Sequence, residues 1–379
     1  MRGPLAVRGW GSACALGADT AACVEALRAG RRALGLPRHA AQLQLTEARD
    51  ALVGEIPLAF PPEQRPRRVL DLVVDEAMDH AGPCAGRTGV FVGTTAGFFV
   101  DAELKLLSAR AQDPEAWPSL DQRGQGAVAE HVAERIGARG PVLTYAMACT
   151  SSAAAVAAAG QHLQAGTCDR ALVVGYDMLS NLTVRGFRGL LLYDPEPCRP
   201  FDLSRRGLQL GEGCGAVVLE RGEAAFQLRG WSNHLDPANL TSSSTDGRTA
   251  AAVMQAALDH AGSQPEAVVG IKAHGTGTVD NDLGEGRGIA LLFGDAVPHF
   301  ASLKGALGHT LGAAGALELV LWLASLKAGF TPGSVGFTQP DPAIGTSPAR
   351  VLGAAQQGDH LFGAFGFGGS CVALVVRHG

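Results

Sequence analysis

Cys149 stands where a thiol can act as a nucleophile. It follows the short apolar run Val142–Tyr145, which reads as a strand, and precedes the Ala-rich run Ala153–Leu163, which reads as a helix. A strand-to-helix turn lifts a side chain off the sheet edge, and a helix N-terminus favours negative charge. That setting predicts a lowered thiol pKa and a thiolate nucleophile. An inert buried cysteine is the alternative reading of this segment alone. His274 opens the run His274-Gly275-Thr276-Gly277-Thr278, after the apolar stretch Val268–Ile271. The glycines let backbone approach a ligand, and the threonine hydroxyls can bond polar groups along a bound chain. A phosphate-cradling loop would carry a Lys after it, and none follows. His309 lies just ahead of Leu311–Leu326, a helix candidate. Lys304 lies five residues before it, in a segment so apolar that the ammonium needs a carboxylate, and Glu318 lies fourteen residues after Lys304. An ordinary helix cap beside a surface Lys is the alternative. Phe365-Gly366-Phe367-Gly368-Gly369-Ser370 has no amphipathic pattern. It reads as a turn whose N–H groups face a ligand under an aromatic lid, or as a plain hairpin turn.

The elements that must carry these residues alternate. Leu5–Gly9, Gly89–Val92, Arg170–Val174 and Gly215–Leu219 read as strands, and Thr20–Arg28 and Arg68–His80 as helices, the first capped by Asp19 or Thr20. Alternating strands and helices predict an α/β fold with much buried sheet. A weak internal repeat pairs Ala6-Val7-Arg8-Gly9-Trp10 with Gln227-Leu228-Arg229-Gly230-Trp231, and Cys214-Gly215-Ala216-Val217-Val218 with Cys371-Val372-Ala373-Leu374-Val375. The first pair opens two halves and the second closes them, dividing the chain into residues 1–222 and 223–379.

Composition limits the function classes. The 379 residues are enough for two domains or one duplicated fold. With 31 Lys+Arg against 36 Asp+Glu the net charge is −5, which argues against nucleic acid as the main partner. Charged residues at 18% and hydrophobic ones at 46% exclude wholesale disorder. The eight cysteines show no metal-ligand spacing, and no long apolar run predicts a membrane span. A reduced, cytoplasmic protein is expected.

Taken in order, Cys149, His274, Lys304, His309 and the Phe-Gly-Phe-Gly-Gly turn resemble the β-ketoacyl-[acyl-carrier-protein] synthases, condensing enzymes of the thiolase superfamily. Arg199-Pro200-Phe201-Asp202, Gly211-Glu212-Gly213 and Asn281-Asp282 with Glu285 extend the resemblance over nearly the whole chain. It implies a duplicated five-layer α-β-α-β-α fold and a dimer. It implies that Cys149 accepts the acyl group, and that His274 and His309 assist malonyl decarboxylation and hold the enolate. The N–H groups of Cys149 and Phe367 would form the oxyanion hole, with Phe367 as gating aromatic. Thr276 and Thr278 would bind phosphopantetheine, and Lys304 would pair with Glu318 beneath the histidines. No metal or redox cofactor is implied; the phosphopantetheine belongs to an acyl carrier protein. That acidic partner would need a basic surface: Arg65, Arg67 and Arg68 form one candidate cluster, Arg185 and Arg188 another, a merely solvated face being the alternative for both.

The chain also departs from the family pattern. The segment Gly189–Cys198 is short, Met147 and Tyr145 precede the nucleophile, and Cys371 replaces a position that is commonly Asn. These departures point to a polyketide or polyene pathway over housekeeping fatty-acid synthesis. Cys371 suggests a thiolase, but it lies after the glycine turn at the start of an apolar strand and reads as packing. A non-catalytic chain-length partner of a heterodimer would lose the nucleophile, whereas Cys149 and both histidines are present.

Overall fold

The computed structural model describes residues 3–119, 124–237 and 244–379. Short runs of apolar and β-branched residues form β1 (Leu5–Cys14), β2 (Thr88–Gly93), β3 (Val142–Tyr145), β4 (Arg170–Asp177) and β5 (Gly213–Arg221). After residues 222–225 come β6 (Phe226–Leu235), β7 (Val268–Lys272), β8 (His299–Ala301), β9 (Gly358–Phe365) and β10 (Ser370–His378). They join in the order β8-β7-β9-β10-β6-β1-β5-β4-β2-β3. Read outward from the middle, each half is the same series: first strand, fifth, fourth, second, third. Within the sheet, the described strands of the two halves pair only near the beginnings of β1 and β6, where Leu5 pairs with Leu228 and Ala6 with Gln227. Every residue of β4 is buried, as expected for a strand covered on both faces.

Helices cover these faces in layers. On the outside of the first half lie α1 (Arg65–Ala81) and α2 (Gly126–Ile136). Between the halves lie α3 (Ser151–Gln164) and, after α4 (Asn181–Gly189), α5 (Arg248–Ala261) and α6 (Val279–Phe293), its counterpart α7 (Ala314–Lys327). The α5 and α6 pair covers the outside of the second half. The result is α-β-α-β-α. α7 is buried all round from Ala314 to Leu326, the signature of a helix in a core and not on a surface. α3 is nearly all small residues, and this permits close crossing: a Cβ on Gly315 would lie 2.4 Å from the Ala153 nitrogen. Each buried Leu or Val here contributes about 1.5–3 kcal/mol.

The duplication runs further than the two pentapeptides. Asp79-His80-Ala81-Gly82 ends α1 and Asp259-His260-Ala261-Gly262 ends α5. The Trp10 N–H donates to His80 Nδ1 at 3.3 Å, and the Trp231 N–H to His260 Nδ1 at 3.2 Å. Strand boundaries agree with the sequence reading at β3, while β1 runs on to Cys14. Asp19 caps the Thr20–Arg28 helix, its side chain accepting from the Ala22 N–H at 2.8 Å. α1 begins earlier than expected, at Arg65, because Pro66 is well tolerated in a first turn. No helix among the described residues is long and apolar enough to cross a membrane.

Candidate active site

β3 delivers Cys149 through a single 3-10 turn, Ala148–Thr150, into α3. Ala148 has φ +48, a left-handed conformation costly for a residue with a Cβ. The turn Phe365–Ser370 closes over it. Gly368 and Gly369 have φ +78 and +77, and a Cβ on Gly369 would sit 1.9 Å from the Asp236 carbonyl oxygen. Only glycine fits there.

Cys149 is buried, and His309 Nε2 lies 3.0 Å from its Sγ. The His274 ring meets His309 edge-on, with centroids 5.3 Å apart. Partners set both tautomers. The Leu311 N–H donates to His309 Nδ1 at 3.3 Å, and Lys304 Nζ lies 3.3 Å from His274 Nδ1 and 2.8 Å from the His274 carbonyl. Each Nδ1 is therefore an acceptor, and each neutral ring carries its proton on Nε2. Burial and the Lys304 ammonium push both histidines well below the usual imidazole range, so they are uncharged donors at neutral pH. Lys304 Nζ also lies 2.6 Å from Glu318 Oε1.

The thiol differs from the sequence expectation. Burial pushes Cys149 up to about 12, against the lowering effect of Lys304 and of the Phe367 and Cys149 N–H groups. Desolvation outweighs the helix end, so the resting group is a protonated thiol. Those two N–H groups nevertheless lie beside the sulfur.

A cavity of about 190 Å³ connects Cys149, His274, His309, Thr276, Thr278 and Phe367. The hydroxyls of Thr276 and Thr278 lie 2.8 Å apart. The loop bearing them is held by carboxylates: Asp282 accepts from the Thr276 N–H at 2.9 Å, and Glu285 from the His274 and Gly275 N–H groups at 2.6 and 2.7 Å. Burial raises Glu285 to about 7. Phe367 stacks on Phe187 of α4, centroids 5.5 Å apart at 19°.

Residues 3–225 match the family described as beta-ketoacyl synthase, N-terminal domain, and residues 226–338 match beta-ketoacyl synthase, C-terminal domain. The chain belongs to the β-ketoacyl synthase family. It is a condensing enzyme of the ketosynthase type, an acyltransferase. It is 32% identical to nodulation protein E of Rhizobium sp. (strain N33) over 362 residues, 89% of each chain. It is 30% identical to 3-oxoacyl-[acyl-carrier-protein] synthase 2 of Staphylococcus aureus (strain N315) over 332 residues, 81% of this chain and 79% of that one. Among solved structures, the ketosynthase ApeO in complex with its chain length factor ApeC, from Xenorhabdus doucetiae, superimposes with a TM-score of 0.86 at 26% identity, covering 100% and 98% of the two chains.

Within this ketosynthase, the arginines do not all lie where the sequence suggested. Arg65 is not part of a carrier-protein surface. It is buried, and its guanidinium pairs with both oxygens of Glu212 at 2.7 and 2.5 Å. Arg67 pairs with Asp101 and lies over the Phe98 ring, whereas Arg68 is exposed beside Phe60. Arg185 and Arg188 are exposed on α4, 3.9 Å from Glu47 and 2.6 Å from Asp50. α4 also carries Phe187 to the cavity, but neither arginine lines it; Arg188 lines a separate depression with Asp50 and Tyr193. Arg206 does line the cavity and was not singled out from sequence. Tyr145 and Met147 line a separate depression with Trp231, away from the Cys149 cavity. Cys371 is buried outside that cavity, its Sγ donating to the Gly369 carbonyl at 3.4 Å.

Two further buried groups escaped the sequence reading. Asp177 accepts from the Thr95, Ala96 and Gly312 N–H groups and from the Thr94 and Thr95 hydroxyls, at 2.7–3.1 Å. It ties the loop after β2 to the turn before α7. Lys272 lies 2.7 Å from Glu318 Oε2. An ammonium at the end of the apolar strand Val268–Lys272, two residues before His274, was the available signal.

Proposed function

We propose that this chain catalyses decarboxylative Claisen condensation of an acyl thioester with malonyl-[acyl carrier protein] through an acyl-Cys149 intermediate. The observation that carries it is the contact of Cys149 Sγ with His309 Nε2, with the neutral His274 beside it. In the first half-reaction the sulfur–carbonyl bond forms, the bond to the pantetheine sulfur breaks, and the thiol proton leaves with the departing pantetheine as its thiol. The N–H groups of Cys149 and Phe367 stabilise the oxyanion, each by about 2.7–4 kcal/mol. In the second, the malonyl arm lies along Thr276 and Thr278. Its carbon–carboxylate bond breaks, carbon dioxide leaves, and the electron pair becomes an enolate. The Nε2–H groups of His274 and His309 hold the enolate oxygen. The enolate carbon attacks the acyl carbonyl, and the Cys149 thiolate departs and regains a proton. This chemistry calls for no metal or redox cofactor.

The partner is an acyl carrier protein, docking over the cavity that Arg206 lines and on the exposed Arg185 and Arg188 of α4. The chain acts as a dimer with itself or with a second ketosynthase-like subunit, in a type II fatty-acid, polyketide or polyene pathway in the cytoplasm. A non-catalytic chain-length subunit is the reading that the thiol–imidazole contact opposes. The test is incubation with acyl- and malonyl-carrier proteins, comparing wild type with Cys149→Ala. A ketoacyl product lost in the variant supports the proposal. No product with any acyl donor, alone or with a second subunit, refutes it.

A further inference from the structure

Glu318 is shared by two ammonium groups, both fully enclosed. Lys304 Nζ takes Oε1 at 2.6 Å and Lys272 Nζ takes Oε2 at 2.7 Å, and the three side chains are no more than 2% exposed. A buried ion pair ordinarily matches its charges, since each unpaired charge is costly to desolvate. Here the next carboxylate, Glu285 on α6, is spent on the N–H groups of His274 and Gly275. Lys272 also donates to the Gly363 carbonyl at 2.9 Å. It thereby links three elements that each bring a site residue. β7 leads to His274, α7 holds Glu318, and β9, whose Phe362 pairs with Lys272, runs into the turn bearing Phe367.

We propose that Lys272 is a positioning residue for the condensation: it fixes Glu318 so that Lys304 stays on His274, and it places a second positive charge behind the site where the enolate forms. This rests on the condensing reading above. The groups facing Lys272 are Glu318 from α7, Lys304 from the turn of helix Lys304–Leu307, Glu285 from α6, and the Gly363 carbonyl from β9; its field also reaches His274 and His309. A positive charge there adds to burial and the Lys304 ammonium, the larger causes, in lowering both rings, and favours an anion beside them. Burial lowers the Lys272 pKa, and the Glu318 carboxylate 2.7 Å away opposes that shift.

Three variants separate charge from packing. Lys272→Gln retains a donor for Gly363 and loses the charge. Lys272→Met loses both, and Lys272→Arg keeps the charge. NMR titration of the His274 and His309 rings in the unacylated enzyme needs no turnover. Their protonation should move up towards pH 6.5 in the Gln and Met variants and stay near wild type in Arg. The rate of malonyl-carrier-protein decarboxylation should fall about tenfold or more, with its acid limb displaced to higher pH by the same amount. Unchanged ring titration and pH profile in Lys272→Gln, with only a lowered melting temperature, would make Lys272 a structural residue and overturn the proposal. Failure of wild type to decarboxylate would instead count against the condensing reading, while the ring titrations would still decide the effect of the Lys272 charge.

Discussion

The two halves lay down the same five strands in the same order, and each runs from its edge strand through a three-residue 3-10 turn into a 14-residue buried helix. Ala148 and Leu311 open those turns with φ +48 and +52. At the next position one half has Cys149 and the other Gly312. The first half reaches its turn through residues 146–147 alone, whereas the second spends residues 302–310, and those carry Lys304 and His309. The architecture is duplicated and the chemistry is not. Helix-end N–H groups face a reactive sulfur in one half and the Asp177 carboxylate in the other. The lengthened connection then brings its imidazole across the middle layer to the sulfur.

That contrast can be broken from either side. Cys149→Ala should abolish ketoacyl formation while leaving the urea midpoint close to wild type, since the alanine fits the same turn. His309→Ala removes one donor and should slow decarboxylation about 10²–10³-fold, read from release of labelled carbon dioxide. Gly312→Ala should do the reverse of Cys149→Ala. Its Cβ would lie 2.8 Å from both Asp177 Oδ2 and the Thr95 nitrogen, so stability should fall by about 1–3 kcal/mol in urea unfolding. Alkylation of Cys149 by iodoacetamide should keep accelerating above pH 9 without a plateau. A raised thiol pKa leaves little thiolate at neutral pH, and the fraction grows until about 12. A plateau near pH 8.5 would show that the helix end outweighs burial after all. The smallest effect is at the surface. Arg185→Glu with Arg188→Glu should raise KM for the carrier protein severalfold, with kcat for a small thioester substrate unchanged. Arg65→Ala should instead cost about 3–5 kcal/mol of stability, because it strands the Glu212 carboxylate.

Local motifs were legible in the sequence and cross-element partnerships were not. Cys149, His274, His309 and the glycine turn are recognisable because each lies in a short segment whose residue types declare a turn beside a helix or strand. The Lys304–Glu318 pair was readable because a lysine in so apolar a run needs a carboxylate. Lys272 carried the same signal, a lysine ending the apolar strand Val268–Lys272, but its partners on α7 and β9 lie far along the chain and are not shown by the sequence. Arg65 was misplaced because its neighbours in sequence do not show its partner: Glu212, far along the chain, and the Ile56 and Leu58 carbonyls hold its guanidinium inside, whereas Arg68 stays exposed. The Asp-His-Ala-Gly repeat marks the duplication as clearly as the pentapeptides, yet its meaning rests on a contact to Trp10 and Trp231 that only the folded chain makes. The thiol pKa was inferred with the wrong sign, since the degree of burial cannot be read from a strand–helix boundary.

The most direct test of the central claim is to load the enzyme with an acyl carrier protein, digest it, and map the acyl group among the eight cysteines by mass spectrometry. The account predicts an acyl thioester on the Cys149 peptide and on no other, discharged when malonyl-carrier protein is added. An acyl group on Cys371 or another cysteine, or an adduct on Cys149 that malonyl-carrier protein never discharges even with a second subunit present, would contradict it.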